Sequence, residues 1–196
     1  RDADVQAEAF RMLRTNLQYM QVDDPPRAIV ITSALPGDGK SFVASKLAMA
    51  LAQAGQSTVL VDADMRRPRI ASMFGLDAEV GLSDVVAGRA EVGDILQPVP
   101  GLSTLQVLTS GPIPPNPSEL VGSERMHSLI VELSTTHTVV IDAPPLLAVT
   151  DAGLLTVASD GALLVIRSGS TFKEQVALCR DTFDRVGGGL LGTVLN

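Results

Sequence analysis

The chain has 196 residues, 45% of them hydrophobic but only 3% aromatic, and a formal net charge of −7. That length suffices for one domain with a sizeable core, which Val, Leu, Ile and Ala must build. The acidic balance argues against nucleic acid as the main partner, and a lone cysteine, Cys179, excludes a disulfide within the chain and fits a reducing compartment.

No apolar run reaches membrane-spanning length, and no signal peptide is visible. The chain opens on Arg1 rather than Met, which fits a segment of something longer and leaves membrane attachment through another segment or a partner open. A bound polyphosphate needs Mg²⁺ and local cations on so acidic a molecule.

In chain order, Asp4 to about Val22 reads as an amphipathic helix, with Phe10, Leu13, Leu17 and Met20 at helical spacing. Glu8, Arg11 and Arg14 recur every third residue on a neighbouring face; spacing alone makes them a solvated charged face. Asp23-Asp24-Pro25-Pro26 ends that helix. Ala28–Thr32 is the first strand and Ser41–Ala54 the next helix, with Gly55 as its stop. Thr58–Val61 is a second buried strand ending at Asp62-Ala63-Asp64, and the basic cluster Arg66, Arg67 and Arg69 follows. Short helical pieces such as Leu82–Ala87 and Val92–Leu96 lead to a strand at Leu102–Leu108. The proline-rich stretch Gly111–Pro117 must be an extended loop, after which Ser118 is a candidate N-cap for a helix to about Thr135.

Thr138–Ile141 is a strand ending at Asp142-Ala143-Pro144-Pro145, Asp151–Ala158 a short helix, and Ala162–Ile166 a strand. Helix Lys173–Arg185 carries Cys179 as a core or half-buried thiol, and Leu190–Leu195 is the last strand. Strands alternating with helices predict an α/β fold, a doubly wound and mostly parallel sheet. There is no internal repeat and no linker, so residues 1–196 read as one domain with a nucleotide-binding core from about residue 27.

The stretch Ala34–Ser41 fits a phosphate-binding loop, with Ala34 in the leading glycine position. Glycines let the backbone curl so that several N–H groups point at one centre, and the following helix start adds partial positive charge. Pro36, Gly37, Asp38, Gly39, Lys40, Ser41 and Phe42 are therefore the expected nucleotide contacts. Lys40 reaches the β- and γ-phosphates, and the Ser41 hydroxyl binds Mg²⁺. Ligands of open parallel sheets sit beyond the carboxyl ends of the strands, where Asp62, Asp64 and Asp142 also fall. Asp142 has the place of a Walker B aspartate at the metal. Of Asp62 and Asp64, one can assist Mg²⁺ and the other can take a proton from an attacking hydroxyl. The Arg66, Arg67 and Arg69 cluster is a phosphate aid, a subunit contact or a solvated loop.

At these residues the chain resembles the catalytic domain of the bacterial tyrosine kinases, which work with chain-length-determinant membrane proteins in capsule and exopolysaccharide production. Ala34–Ser41 is similar to their Walker A loop, Val59–Arg66 to their Walker A′ motif D-x-D-x-R, and Val139–Pro144 to their Walker B. Glu8, Arg11 and Arg14 match their E-x-x-R-x-x-R interface motif, and Ser110–Leu120 resembles a further family segment. The resemblance spans essentially the whole chain and implies a P-loop kinase using ATP and Mg²⁺. It implies that Glu8, Arg11 and Arg14 contact neighbouring subunits in a ring, that Asp64 activates the tyrosine hydroxyl, that Asp62 lies nearer the metal with Ser41 and Asp142, and that Asn196 reads adenine. It also implies a membrane activator and a location on the cytoplasmic side of the membrane.

Phe42 stands where the family usually has a second Thr, and Lys46 where an Asn is common. The family's tyrosine-rich tail is absent, and the one tyrosine, Tyr19, is expected to pack in the first helix, so a substrate tyrosine comes from a neighbouring subunit. Two other readings stand at this stage. One is a positioning switch like the partition and division-site ATPases, which carry a signature lysine where this chain has Leu35. The other is a nucleotide-binding module without turnover.

Overall fold

The apolar runs become the middle of one seven-stranded sheet in the computed structural model, which describes residues 2–196. Helix α1 (Asp2–Met20) precedes strand β1 (Ala28–Ser33), helix α2 (Lys40–Gln53) and strand β2 (Thr58–Asp62). Three short helices follow, α3 (Ile70–Phe74), α4 (Leu82–Val86) and α5 (Val92–Ile95), then strands β3 (Gln97–Val99) and β4 (Leu102–Leu108). Helices α6 (Pro117–Val121) and α7 (Glu124–Thr136) lead to β5 (Thr138–Asp142), α8 (Asp151–Val157), β6 (Gly161–Ile166), α9 (Lys173–Val186) and β7 (Leu190–Leu195).

The strand order is β3-β4-β2-β5-β1-β6-β7. Every pairing is parallel except that of β3 with β4. Strands β1, β2 and β5 are buried nearly throughout, as parallel strands covered on both faces must be. Successive side chains of β1 serve opposite layers. Ile29 and Ile31 join Leu47, Leu60 and Val140 in the core under α1 and α2, while Val30 joins Val59, Ile141, Met126 and Phe183 on the other face. Strand order β2-β5-β1 and the register pairing Asp62 with Asp142 bring the two acidic strand ends side by side. Beside them β1 runs into the glycine-rich loop, and its neighbours β5 and β6 both come from later in the chain, the arrangement that opens a crevice.

Three details depart from the expected elements. Residues 97–99 form an edge strand despite Pro98, which an edge tolerates because one side of the strand needs no ladder donor. The helix expected from Ser118 to Thr135 is two helices, broken at Gly122 and Ser123, where the Ser123 hydroxyl accepts from Met126 N at 3.2 Å and caps α7. Ser118 is no N-cap: Asn116 holds that position, Pro117 opens the helix, and the Ser118 side chain turns elsewhere.

Helix α1 buries Leu17 and packs Phe10 and Leu13 against α2, whereas Met20 is half exposed. Tyr19 does not pack as expected and is 70% exposed. It lies two residues from Leu17, about 200° around the helix, and so faces away from α2. Among the described residues no helix is long and apolar enough to cross a membrane.

Candidate active site

Strand β1 delivers the loop 34–39 at the carboxyl edge of the sheet. The Ser33 hydroxyl donates to Leu35 O at 2.8 Å, and Leu35 N donates to Asp38 Oδ2 at 3.3 Å, so the loop closes on itself. Thr32 Oγ1 donates to Pro144 O at 2.7 Å and ties the loop's base to the segment after β5. Gly37 and Gly39 have φ of 87° and 93°, the left-handed region that side chains disfavour. Gly39 is constrained twice, because a Cβ there would stand 2.1 Å from Asn196 Nδ2.

Lys40, the first residue of α2, is almost wholly buried. Its ammonium lies 3.1 Å from Asp64 Oδ2 and 3.3 Å from Asp142 Oδ1. Ser41 Oγ donates to the other Asp142 oxygen at 2.6 Å. Loop, helix start, and the ends of β2 and β5 thus converge on one cation and two carboxylates. The cleft above them is about 560 Å³ and is lined by Gly37, Lys40, Ser41, Asp64, Arg67 and Pro144, among others.

Asp62 and Asp64 divide their work differently. Asp62 Oδ2 accepts from Arg69 N and Ile70 N, each at 3.0 Å, and Oδ1 accepts from Asp64 N at 3.2 Å. These bonds shape the turn 63–70 and satisfy amides at the start of α3. Asp64 Oδ1 accepts from Arg66 N and Arg67 N, while Oδ2 points to Lys40. The carboxylate aimed into the cleft is therefore that of Asp64.

Burial pushes Asp62 up to about 7, and the nearby charge of Asp142 adds to it. Burial likewise raises Asp142, against the pull of Lys40 and the Ser41 hydrogen bond. Burial draws Lys40 down, but the charges of Asp142 and Asp64 outweigh it and hold the ammonium above its usual range. The site is a buried cluster in which one lysine balances excess negative charge.

Among the described residues no group of three or more His, Cys, Asp or Glu forms a ready-made metal cage. The donor set does fit Mg²⁺. A hydroxyl and a carboxylate, both hard oxygen ligands, meet at Ser41 and Asp142, and Mg²⁺ takes few protein ligands because phosphates and water supply the rest.

Asn196, following β7, lies against the loop: its Nδ2 donates to Asp38 O at 3.1 Å. It also lines an apolar groove of about 390 Å³ between α1, the start of α2 and β7. Phe42 faces that groove as well, meets Phe10 edge-on with ring centroids 6.1 Å apart, and has the Lys46 ammonium 5.7 Å from its ring centre. Glu8 and Arg11 are far from the cleft residues in sequence, exposed, and paired with each other at 2.6 Å. Arg14 turns inward, donating from Nη1 to Ala50 O at 3.1 Å.

Three residues of this region have no site role from the sequence, where Ser118 reads only as a helix cap. Arg167, directly after β6, donates to Gly37 O at 3.0 Å, and its position at a strand's carboxyl end was the available signal. Ser118 and Asp151 bind Arg66: its Nη2 donates to Ser118 Oγ at 2.8 Å, and its Nε lies 3.3 Å from Asp151 Oδ2. Their separation along the chain left no pattern to read.

A glycine-rich loop opening a helix with Lys40 and Ser41, set against acidic ends of adjacent parallel strands, defines a P-loop NTPase. The family model described as ParA, NUBPL iron-transfer P-loop NTPase, matches residues 24–166. Tyrosine-protein kinase YwqD of Bacillus subtilis (strain 168) is 42% identical over 191 residues, covering 97% of this chain and 80% of the relative. Tyrosine-protein kinase etk of Escherichia coli (strain K12) is 37% identical over 196 residues, covering 99% of this chain but only 27% of the relative's length. The solved kinase domain of Escherichia coli tyrosine kinase ETK superposes with a TM-score of 0.93 at 36% identity, covering 97% of this chain and 74% of that one. The chain belongs to the bacterial tyrosine-protein kinases.

Proposed function

We propose that this chain is the ATP-dependent kinase domain of a protein-tyrosine kinase, transferring the γ-phosphoryl group to tyrosines of a tail on a neighbouring subunit. The observation that carries the reading is Lys40 held between Asp64 and Asp142 at the start of α2, with Ser41 on Asp142. Loop amides 37–42 and Lys40 grip the phosphates beside Pro36, and Ser41 with Asp142 would hold Mg²⁺, which when bound would supply charge neutralisation for the transferring group. Lys40, drawn toward phosphate, leaves Asp64 free as a base. Asp64 takes the hydroxyl proton as the tyrosine oxygen bonds to phosphorus and the bond to the ADP oxygen breaks. Asp62, bound up by three amides, shapes this turn, and its charge acts on the metal site through Asp142. Asn196 reads adenine from its place beside the loop.

Residues 1–196 act as one catalytic unit in which the helix at about 4–22 also serves assembly into a ring. Exposed Glu8 and Arg11 are the contacts offered to a neighbour, with Arg14 anchoring the helix to α2. The partners in this reading are a chain-length-determinant membrane activator and a tyrosine-rich tail, at the cytoplasmic face of the membrane, in control of capsule or exopolysaccharide synthesis.

The test is purified chain with Mg-ATP, a tyrosine-rich tail peptide and the activating segment of the membrane partner. Phosphotyrosine on the peptide is expected, and its absence under every condition defeats the kinase reading. Glu8→Ala with Arg11→Ala is expected to lower the assembled mass in light scattering while the fold persists. An unchanged mass defeats the interface.

A further inference from the structure

Arg66 lines the catalytic cleft, yet its side chain is spent on two residues outside it. Asp151 has no solvent exposure and places one oxygen on Arg66 Nε at 3.3 Å. Its other oxygen accepts from Ser118 Oγ at 2.5 Å, and Ser118 in turn accepts from Arg66 Nη2 at 2.8 Å. The three groups close a ring of hydrogen bonds, each with charge on at least one side, built on the fully buried Asp151 while the Arg66 side chain stays 38% exposed. The ring joins three segments that leave the carboxyl edge separately: the turn after β2, helix α6 after the proline-rich stretch, and helix α8 after β5.

The backbone of Arg66 is equally committed. Its N–H, with that of Arg67, donates to Asp64 Oδ1 and so turns the other Asp64 oxygen toward Lys40. Movement of Arg66 therefore moves the carboxylate that faces the cleft. A guanidinium in so fixed a fork tolerates little displacement, and a misplacement of about 1 Å at a reacting group costs on the order of 100-fold in rate.

We propose that Ser118 and Asp151 are positioning residues for phosphoryl transfer, clamping Arg66 and through it the turn that presents Asp64. The inference rests on the kinase reading for its catalytic consequence, but the clamp itself can be measured without turnover. The variants are Ser118→Ala, Asp151→Asn, Arg66→Ala and Arg66→Lys in the purified chain. The readouts are hydrogen exchange of amides 63–69, affinity for a fluorescent ADP analogue, and kcat for a tail peptide.

The first three variants are expected to speed exchange at 63–69 and lower kcat roughly tenfold or more, with ADP affinity within about twofold of wild type. Arg66→Lys, unable to form the fork, is expected to behave like Arg66→Ala. Ser118→Ala and Asp151→Asn are expected to add nothing in the Arg66→Ala background, the mark of one shared network. Wild-type exchange at 63–69 in Ser118→Ala overturns the clamp even if Asp151→Asn fails to fold. Additive losses with Arg66→Ala overturn it too, as does ADP affinity falling in step with kcat. If the wild-type chain makes no phosphotyrosine, the kinase reading fails, and exchange at 63–69 alone decides the clamp.

Discussion

Ser41 Oγ donates to Asp142 Oδ2 at 2.6 Å, joining the first turn of α2 to the end of β5. With Lys40 on the other Asp142 oxygen, both partners of the buried carboxylate come from adjacent residues of one helix start. A nucleotide that takes Lys40 and Ser41 must leave Asp142 another positive partner, the electrostatic reason for coupling nucleotide and Mg²⁺ binding. Ser41→Ala is expected to weaken Mg-ADP binding about tenfold more than metal-free ADP binding, the loss of one charge-assisted ligand contact. Titration with and without EDTA measures the difference, and equal losses refute the coupling.

Lys40→Met removes the one ammonium between Asp64 and Asp142. Stripping a buried carboxylate of its partner costs on the order of 3 kcal/mol while it remains charged. Protonation relieves that cost, so the variant is expected to melt lower than wild type at pH 8 and to close much of the gap at pH 5. Phosphoryl transfer is expected to fall at least ~100-fold. Calorimetric melts at the two pH values and a peptide kinase assay check both.

Asp62 gives a pH dependence of defined sign. Its folded value of about 7 exceeds the usual 3.8, so the folded chain holds the extra proton between those limits. Stability then falls as pH rises from about 4 to about 7, and burial of Asp142 acts in the same direction. Asp62→Asn keeps a carbonyl acceptor for the Arg69 and Ile70 amides, gives up the bond from Asp64 N and cannot ionise. Its stability profile across that window is expected to be flatter than wild type in urea melts at fixed salt. Parallel profiles refute the assignment.

Gly39→Ala meets two obstacles, a left-handed φ and the Asn196 amide. The backbone term alone is about 1–2 kcal/mol, and Asn196 must withdraw from Asp38 O. Asn196→Ala clears the space and loses only a hydrogen bond of about 1 kcal/mol. The double variant is therefore expected to recover part of the folding stability lost in Gly39→Ala, which urea melts without nucleotide can read. No recovery places the whole effect in the backbone.

Phe42 joins α1 to the start of α2 through Phe10 and carries the Lys46 ammonium against its ring. Phe42→Thr is expected to free α1, with faster hydrogen exchange over residues 6–17 and a loss of about 1 kcal/mol. Unchanged exchange there refutes the link.

The central sheet was legible because continuous runs such as Ala28-Ile29-Val30-Ile31 permit little besides a buried parallel strand, and the phosphate loop because its spacing carries a mechanism. Edge strand β3 escaped notice: three residues with a proline have no periodicity. The break between α6 and α7 depends on Ser123 capping the second helix, a local choice that a long apolar pattern hides. Spacing alone leaves Asp62 and Asp64 equivalent and only the family resemblance tells them apart, since the fold decides that the amides of Arg69 and Ile70 come back to Asp62. Arg14 matched a surface motif but reaches Ala50 O, a contact set by how α1 lies on α2. Tyr19 shows the reverse error, an aromatic residue placed inside by its neighbours' character when its angle around the helix sends it outward.

The placement of β1 between β5 and β6 has a consequence for biosynthesis. Ala28 pairs with Val139 and Ile29 with Gly161, so the strand feeding the phosphate loop emerges from the ribosome long before either neighbour exists. Such non-local pairing makes folding slow and leaves an apolar edge exposed meanwhile. Arg167 and Asn196, which brace Gly37 and Asp38, are synthesised later still. The loop is thus made well before the residues that complete it, and a nascent chain paused before β5 has no Asp142 to pair with Lys40.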